Sequence, residues 1–301
     1  MVNTNKHILA VGSIAIDTIE TEYNKKINIL GGSASYFAVS ASVISSVKIV
    51  GVVGNDYPDD GWNLFKHHSI NTDNIQVHDG STFRWGGKYN KDFSSRETLY
   101  TELGVFETFS PKINKDDCDT SFVFLGNIQP QLQLEVLKQI HSPKLIVIDT
   151  MNLWIDLFPE KLHEVLQLSD ILLINDEEAF QFSGLDNVPK AAAALHNYGP
   201  KVIVIKQGSK GAFLSTQEKT FSIPVYPVKM VVDPTGAGDT FAGGFIGHLA
   251  SVKEDDFLGA TITGATFASF SVEDFSPKTL HSRIKSDFEH RQSYISKKII
   301  T

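Results

Sequence analysis

The stretch Asp233-Pro234-Thr235-Gly236-Ala237-Gly238-Asp239-Thr240, continued by Phe241-Ala242-Gly243-Gly244-Phe245, concentrates residue types suited to phosphate chemistry. Gly236 and Gly238 free the backbone to curl, and the N–H groups of a first helical turn, aligned with the helix dipole, attract an anion. The stretch therefore predicts an oxyanion or phosphate cradle. A carboxylate in the same turn, Asp239, would stand beside the bound phosphate and could accept a proton from an attacking hydroxyl. A tight turn with an N-cap is the plainer alternative. Against it, Gly243, Gly244 and Gly247 fall inside the helix, where each costs up to about 1 kcal/mol relative to Ala. Close helix packing accounts for part of that.

Other chemistry-bearing residues sit where strands give way to turns or helices. Asp17 closes the run Gly12-Ser13-Ile14-Ala15-Ile16-Asp17, and Gly31-Gly32 precedes a helical stretch. Asn175-Asp176-Glu177-Glu178 follows a strand, where a charged first helical turn is the bland reading. Lys206-Gln207-Gly208-Ser209-Lys210-Gly211 ends another strand and suits a hairpin turn. Competing motifs are missing: there is no Gly-x-x-x-x-Gly-Lys-Ser/Thr loop, no Gly-x-Ser-x-Gly elbow and no His-Glu-x-x-His pair. His67-His68, being adjacent, cannot share a helix face and reads as solvated or capping.

These residues need a frame that brings strand ends and helix starts together. Short β-branched runs at 8–11, 47–53, 122–125, 145–148, 171–174 and 202–206 alternate with helix-length amphipathic stretches. The runs are apolar throughout, which predicts a doubly wound, mainly parallel α/β sheet covered on both faces. Helices are expected over 33–45, 61–68, 131–141, 159–167, 188–198, 239–252, 255–270 and 277–291. Two segments, about 17–30 and about 80–108, alternate polar with apolar side chains, as in Phe83-Arg84-Trp85. Each suits antiparallel strands, and together they predict a small β-sheet lid in which Gly86-Gly87 permits a bend. Residues 1–301 are expected to form a single domain carrying that lid.

With 301 residues, 42% hydrophobic and 21% charged, the chain can bury a sizeable core. Cys118 is the only cysteine, which excludes an internal disulfide framework and fits a reducing, cytoplasmic setting. The first six residues are polar, with no basic segment leading into a long apolar one, so no export is expected. No run approaches the roughly 18 apolar residues of a membrane span. A net charge of −8, from 27 basic and 35 acidic residues, gives no general attraction to nucleic acid or anionic membrane and favours a small-molecule partner. Arg291, Lys297 and Lys298 read as a solvated helix end.

The run at 233–245 resembles, almost residue for residue, the C-terminal signature of the ribokinase-like PfkB carbohydrate and nucleoside kinases. The resemblance implies an ATP-dependent kinase in which Gly236, Ala237 and Gly238 form the anion hole and Asp239 is the catalytic base. Gly31-Gly32-Ser33-Ala34-Ser35-Tyr36-Phe37-Ala38 is similar to the family's N-terminal di-glycine signature, which opens a helix over the substrate. Asp17 resembles the aspartate that binds substrate hydroxyls, and Gly32 would let a sugar approach the backbone. Tyr36 departs from the pattern, since many sugar kinases carry there an Asn that hydrogen-bonds the substrate. Asn175 and Glu178 fit an Asn-x-x-Glu motif whose Glu helps hold Mg²⁺ through water, and Mg²⁺ needs only one or two carboxylates. Lys206, Gly208 and Gly211 lie in a stretch similar to the family's nucleotide loop. Ala268-Ser269-Phe270-Ser271-Val272-Glu273 resembles the segment flanking adenine, and in some members that segment and Asp233 hold a monovalent cation such as K⁺. The motifs span about residue 12 to about residue 273 in the family's order.

The leading expectation is transfer of phosphate from MgATP to a CH₂OH group of a sugar or related polyol. A nucleoside acceptor is the alternative, favoured by Tyr36, Phe83, Trp85 and Trp154, which could stack on a base, although core packing is their plainer use. Intact Asp239 and Glu178 argue against a non-catalytic binding protein. A nicotinamide dehydrogenase would need Gly-x-Gly-x-x-Gly after the first strand, where Gly12 to Asp17 stands instead. Residues around 83–85 are expected to close over substrate, with Arg84 or Arg96 at a polar substrate group. Family members often dimerise through the lid, so a homodimer is an implied partner.

Overall fold

The computed structural model describes residues 7–22, 24–93 and 95–300. The chain begins with β1 (Ile8–Val11), β2 (Ala15–Glu20), β3 (Lys25–Gly31), α1 (Ser33–Ser42), β4 (Val47–Gly54), α2 (Asp59–His67) and β5 (Asn71–His78). Next come β6 (Phe83–Tyr89), β7 (Arg96–Glu102), β8 (Phe122–Leu125), α3 (Pro130–Leu137), β9 (Leu145–Asp149), α4 (Asn152–Leu157) and α5 (Pro159–Gln167). It continues through β10 (Ile171–Asn175), α6 (Asp176–Ser183), α7 (Val188–Leu195), β11 (Val202–Lys206), β12 (Ala212–Thr216) and β13 (Thr220–Ile223). The last helices are α8 (Ala237–Ser251), α9 (Phe257–Ser271) and α10 (Lys285–Ser296).

Apolar runs with no polar face must be covered twice, and the nine-stranded sheet, ordered β13-β12-β11-β10-β9-β8-β1-β4-β5, is. Ile8, Ala10 and Ile49 pack on one side with Phe37 of α1 and Phe241 and Phe245 of α8. Leu9, Val11 and Val123 pack on the other with Leu134 of α3, Val165 of α5 and Ala191 of α7. From β11 to β5 the neighbours are parallel; β12 and β13 add an antiparallel edge that the apolar runs did not announce. From β1 the chain passes outward to β4, then returns at β8 to build the opposite half, so the order reverses between β1 and β8. A ligand crevice is expected at the carboxyl ends of the strands beside such a reversal.

The two alternating segments do form one four-stranded sheet, in the order β3-β2-β6-β7. Each segment supplies an antiparallel pair, and the pairs are joined by parallel β2 and β6. The single helix expected over 277–291 is two pieces: a 3₁₀ turn, Pro277–Ser282, and α10. Arg283 between them is extended, because its guanidinium turns to Glu273 at 3.2 Å and covers the Phe270 ring. The helix restarts where Asp287 accepts from the Ile284 N–H. Arg291 is a correction too: instead of lying in solvent it is 8% exposed, bonded to Ser269 and Glu273 and stacked on Phe270.

The glycines inside α8 have a packing cause. A side chain at Gly243 would stand 2.4 Å from the Phe37 carbonyl oxygen of α1, and one at Gly244 would stand 3.0 Å from the Phe267 ring of α9. Both neighbours thus approach the α8 backbone itself. Ser40 adds a hydrogen bond from α1 to the Thr240 carbonyl at 2.6 Å.

Candidate active site

The predicted cradle is the amino end of α8. Gly236 is its N-cap with φ of 72°, a left-handed conformation that a side chain would strain; it offers no side-chain cap, and the Ala237 N–H is taken by the Pro234 carbonyl at 3.2 Å. The Tyr36 ring of α1 lies against Gly236, filling the space a side chain would need. Upstream, Asp233 Oδ1 accepts from the Thr235 N–H at 2.9 Å and shapes the approach to the turn. An anion here meets the Gly238 end of the turn and a favourable dipole. Asp239, in that first turn, is pushed up to about 7 by burial and then by the Asp149 carboxylate, while Lys206 acts the other way. Its carboxylate is thus poised to exchange a proton near neutral pH.

Lys206 ends β11 and reaches the cradle: its Nζ is 3.3 Å from where a Gly238 side chain would begin. It donates to Asp149 Oδ2 at 2.8 Å. Burial opposes the lysine's charge, yet Asp149 and then Glu178 outweigh it and hold the pKa above the ordinary lysine value. Asp149 was not singled out in the sequence, where an acid closing an apolar strand looks like any strand end. Asn175 and Glu178 form a capping box at α6, with Asn175 Oδ1 accepting from the Glu178 N–H at 2.8 Å and Glu178 Oε2 from the Asn175 N–H at 3.0 Å. Both residues therefore have a structural task. Burial, then Asp149, push Glu178 up to about 7.

Across the crevice, Asp17 is 4% exposed, and burial followed by Asp233 and Asp239 pushes it up to about 8. A side chain at Gly31 would strike the Asp17 carboxylate, so the glycine is what lets the acid sit there. Gly32 caps α1. Asp17 pairs with Trp85 in the β2–β6 register, which puts both on one face of the small sheet. Tyr89 shares that face and its hydroxyl lies 3.0 Å from Thr235 Oγ1, on the loop leading to the cradle. Arg96 lies 4.9 Å from the Trp85 ring centre, and its charge reaches Asp17, Glu178 and Asp239. Arg84, one residue out of phase, is instead bound to Asp56 and Asn28 on the opposite face. Phe83 packs on Phe106, and Trp154 is tied to Asn127 at 2.8 Å.

At the other end, a side chain at Gly208 would meet open space, whereas one at Gly211 would collide with the Ile223 carbonyl. Gly208 can admit a ligand; Gly211 serves the hairpin. The Ser271 hydroxyl turns back to the Ala268 carbonyl, and the next residue, Val272, accepts from the Val232 N–H at 2.7 Å, joining this segment to Asp233. Burial pushes Asp233 up to about 6. Three buried atoms around the crevice, Asp17 Oδ1, the Tyr36 hydroxyl and Asp233 Oδ2, have no hydrogen-bond partner among the described residues. Among the described residues no three His, Cys, Asp or Glu side chains stand close enough to hold a metal themselves. The buried Glu178 carboxylate, with Asp149 near it, supplies oxygen of the kind Mg²⁺ takes alongside water and phosphate.

The ribokinase-like α/β fold, with Asp239, Lys206 and Asp17 gathered at one crevice, is that of a phosphotransferase acting on a hydroxyl. Residues 122–282 match the pfkB family carbohydrate kinase, and the chain belongs to that family. A cytidine kinase of Thermococcus kodakarensis is 28% identical over 247 residues, covering 79% of this chain and 87% of the relative. A nucleoside kinase of Methanocaldococcus jannaschii is 26% identical over 281 residues, covering 88% of this chain and 90% of the relative. A putative ribokinase II from E. coli, solved in complex with ATP and Mg²⁺, superposes with a TM-score of 0.79 at 18% identity, over 96% of this chain and 99% of that one. No helix among the described residues is long and apolar enough to cross a membrane.

Proposed function

We propose that the chain is a nucleoside kinase, transferring the γ-phosphate of ATP to the hydroxymethyl group of a nucleoside ribose with Asp239 as base. The observation that carries this over a free-sugar acceptor is the match along most of the chain to a cytidine kinase and a nucleoside kinase. Trp85 on the same face as Asp17 supports it, since a base has a π-face to offer where a free sugar has none.

In this reading the Gly236-Ala237-Gly238 turn receives the transferring phosphate at its Gly238 end, beside the Lys206 ammonium, while the Ala237 N–H stays with the Pro234 carbonyl. Asp239 takes the acceptor proton as its oxygen attacks. Asp17 accepts a hydrogen bond from a ribose hydroxyl through the Oδ1 that has no partner among the described residues, with Gly31 and Gly32 leaving room and Tyr36 beside it. Gly208 admits the nucleotide and Ser271 flanks it. ATP and Mg²⁺, which the E. coli neighbour binds, fit this site, and bound Mg²⁺ would offset charge on the phosphates. Asn175 and Glu178 would hold it through water, and Asp233 Oδ2 suits a monovalent cation such as K⁺. Residues 1–301 form one domain in this reading, with the β3-β2-β6-β7 sheet as a lid over the acceptor.

The test is ATP-dependent turnover across a panel of nucleosides and free sugars, with the product identified by mass and phosphorus resonance. Nucleosides are expected to show the highest kcat/KM. A free sugar turned over better than any nucleoside would reverse the assignment.

A further inference from the structure

Asp149 closes β9 and is 4% exposed. Its Oδ1 accepts from the Thr150 N–H at 2.9 Å, leaving Oδ2 for Lys206. Its carbonyl accepts from Gln133 Nε2 at 3.2 Å, and the same amide group donates to the Gly126 carbonyl at 2.9 Å. Gln133, itself 1% exposed, thereby ties the ends of β8 and β9 together. The carboxylate is fixed by its own backbone and by its neighbour strand before it meets the lysine. Because β10 lies between β9 and β11, the Asp149–Lys206 pair bridges across the end of β10, beside the Asn175 cap.

A lysine on a flexible four-carbon stem gives up rotamer entropy, up to about 2 kcal/mol, when one geometry is required of it. Two other acids compete for this one: Glu178 and Asp239 both act on Lys206. A swing to Asp239 would place the ammonium on the base and withdraw it from the Gly238 end of the cradle. We infer that Asp149 is a positioning residue, which holds the Lys206 ammonium at Gly238 for the incoming phosphate and keeps it off the Asp239 carboxylate. The inference rests on the kinase reading of the site, but concerns a residue that reading leaves without a role.

The experiment compares wild type, Asp149→Asn, Lys206→Met and the double variant. Binding of a non-hydrolysable ATP analogue with Mg²⁺ is followed by titration calorimetry, and KM is measured for ATP and for the nucleoside separately. Asp149→Asn should weaken analogue binding by about 10- to 100-fold, the scale of one charge-assisted hydrogen bond. The KM for ATP should rise while that for the nucleoside stays within about two-fold, and the double variant should bind no worse than Lys206→Met, as expected when two groups act as a unit. Unchanged analogue affinity, equal rises in both KM values, or losses that multiply in the double variant would overturn the inference. Should Asp149→Asn fail to fold, Asp149→Glu takes its place, since it keeps the charge but displaces it; wild-type affinity there refutes positioning. If wild type itself binds no analogue, the kinase reading falls as well; if it binds and Asp149→Asn binds equally, only this inference falls.

Discussion

Around the first turn of α8, Lys206 is held by Asp149 and Glu178 is held by Asn175, whereas across the crevice Asp17 Oδ1 and the Tyr36 hydroxyl are buried with no partner among the described residues. The lysine and glutamate beside α8 are tied up within the fold, whereas the Asp17 side, like Asp233 Oδ2 on the loop before α8, is not. A buried polar atom without a partner costs about 1–3 kcal/mol, so a ligand hydroxyl that meets Asp17 Oδ1 or the Tyr36 hydroxyl is favoured on that scale. In the proposed reading, phosphate recognition at Lys206 is built in advance, which suits a donor common to many reactions. Discrimination among acceptors falls to the Asp17 side, which is unsatisfied without one.

The sharpest way to break this contrast is Asp239→Asn on the α8 side. It should lower kcat by about 10²–10⁴ with little change in binding of an ATP analogue, because the shape stays and the proton acceptor goes. With Asp239 near 7, wild-type kcat/KM should rise with pH as that carboxyl loses its proton, and the rising limb should vanish in the variant. Near-normal turnover in Asp239→Asn would refute the base.

Asp17→Asn probes the opposite side and should act in two directions. Above pH 8, where the Asp17 carboxyl is ionised, nucleoside binding should weaken by about 1.5–3 kcal/mol, the worth of a hydrogen bond to a charged group. The ligand-free protein should become more heat-stable at pH 8. A carboxyl whose folded pKa is raised to about 8 contributes stability below its ordinary pKa and loses it as pH rises through the folded value. Melting curves should therefore separate variant from wild type at pH 8 and converge near pH 4; convergence at both would show that Asp17 carries no such penalty. The smallest effect belongs to Trp85→Ala, which should cost about 1–3 kcal/mol for base-bearing acceptors and little for free ribose. Because Arg96 already lies beside the ring, a base must share or displace that guanidinium, and an equal loss for both acceptors would remove Trp85 from base recognition.

The α8 side was also the side most legible in the sequence. Gly236 to Asp239 can be read because backbone, dipole and carboxylate occupy one short stretch, and the apolar strands can be read because burial on both faces removes polar residues from them. Asp149 could not be read: its partner is 57 positions away and the two meet only through the order of β9, β10 and β11. Arg291 looked like a surface charge because Glu273, which buries it, lies on another segment. Arg84 and Arg96 looked interchangeable until register set Arg84 on the far face.

The close approach of α1 and α9 to the α8 backbone at Gly243 and Gly244 bears on how this enzyme can change. Side chains can adopt new rotamers to absorb a substitution, but a main chain resting on its neighbours has no such slack. A methyl group at Gly243 would have to shift α8 or α1, and Asp239 lies one helical turn away on the same helix. New acceptor preferences should therefore arise by altering β6 and β7, while α8 tolerates almost nothing, so engineering or drift would retune what is phosphorylated long before it could retune how.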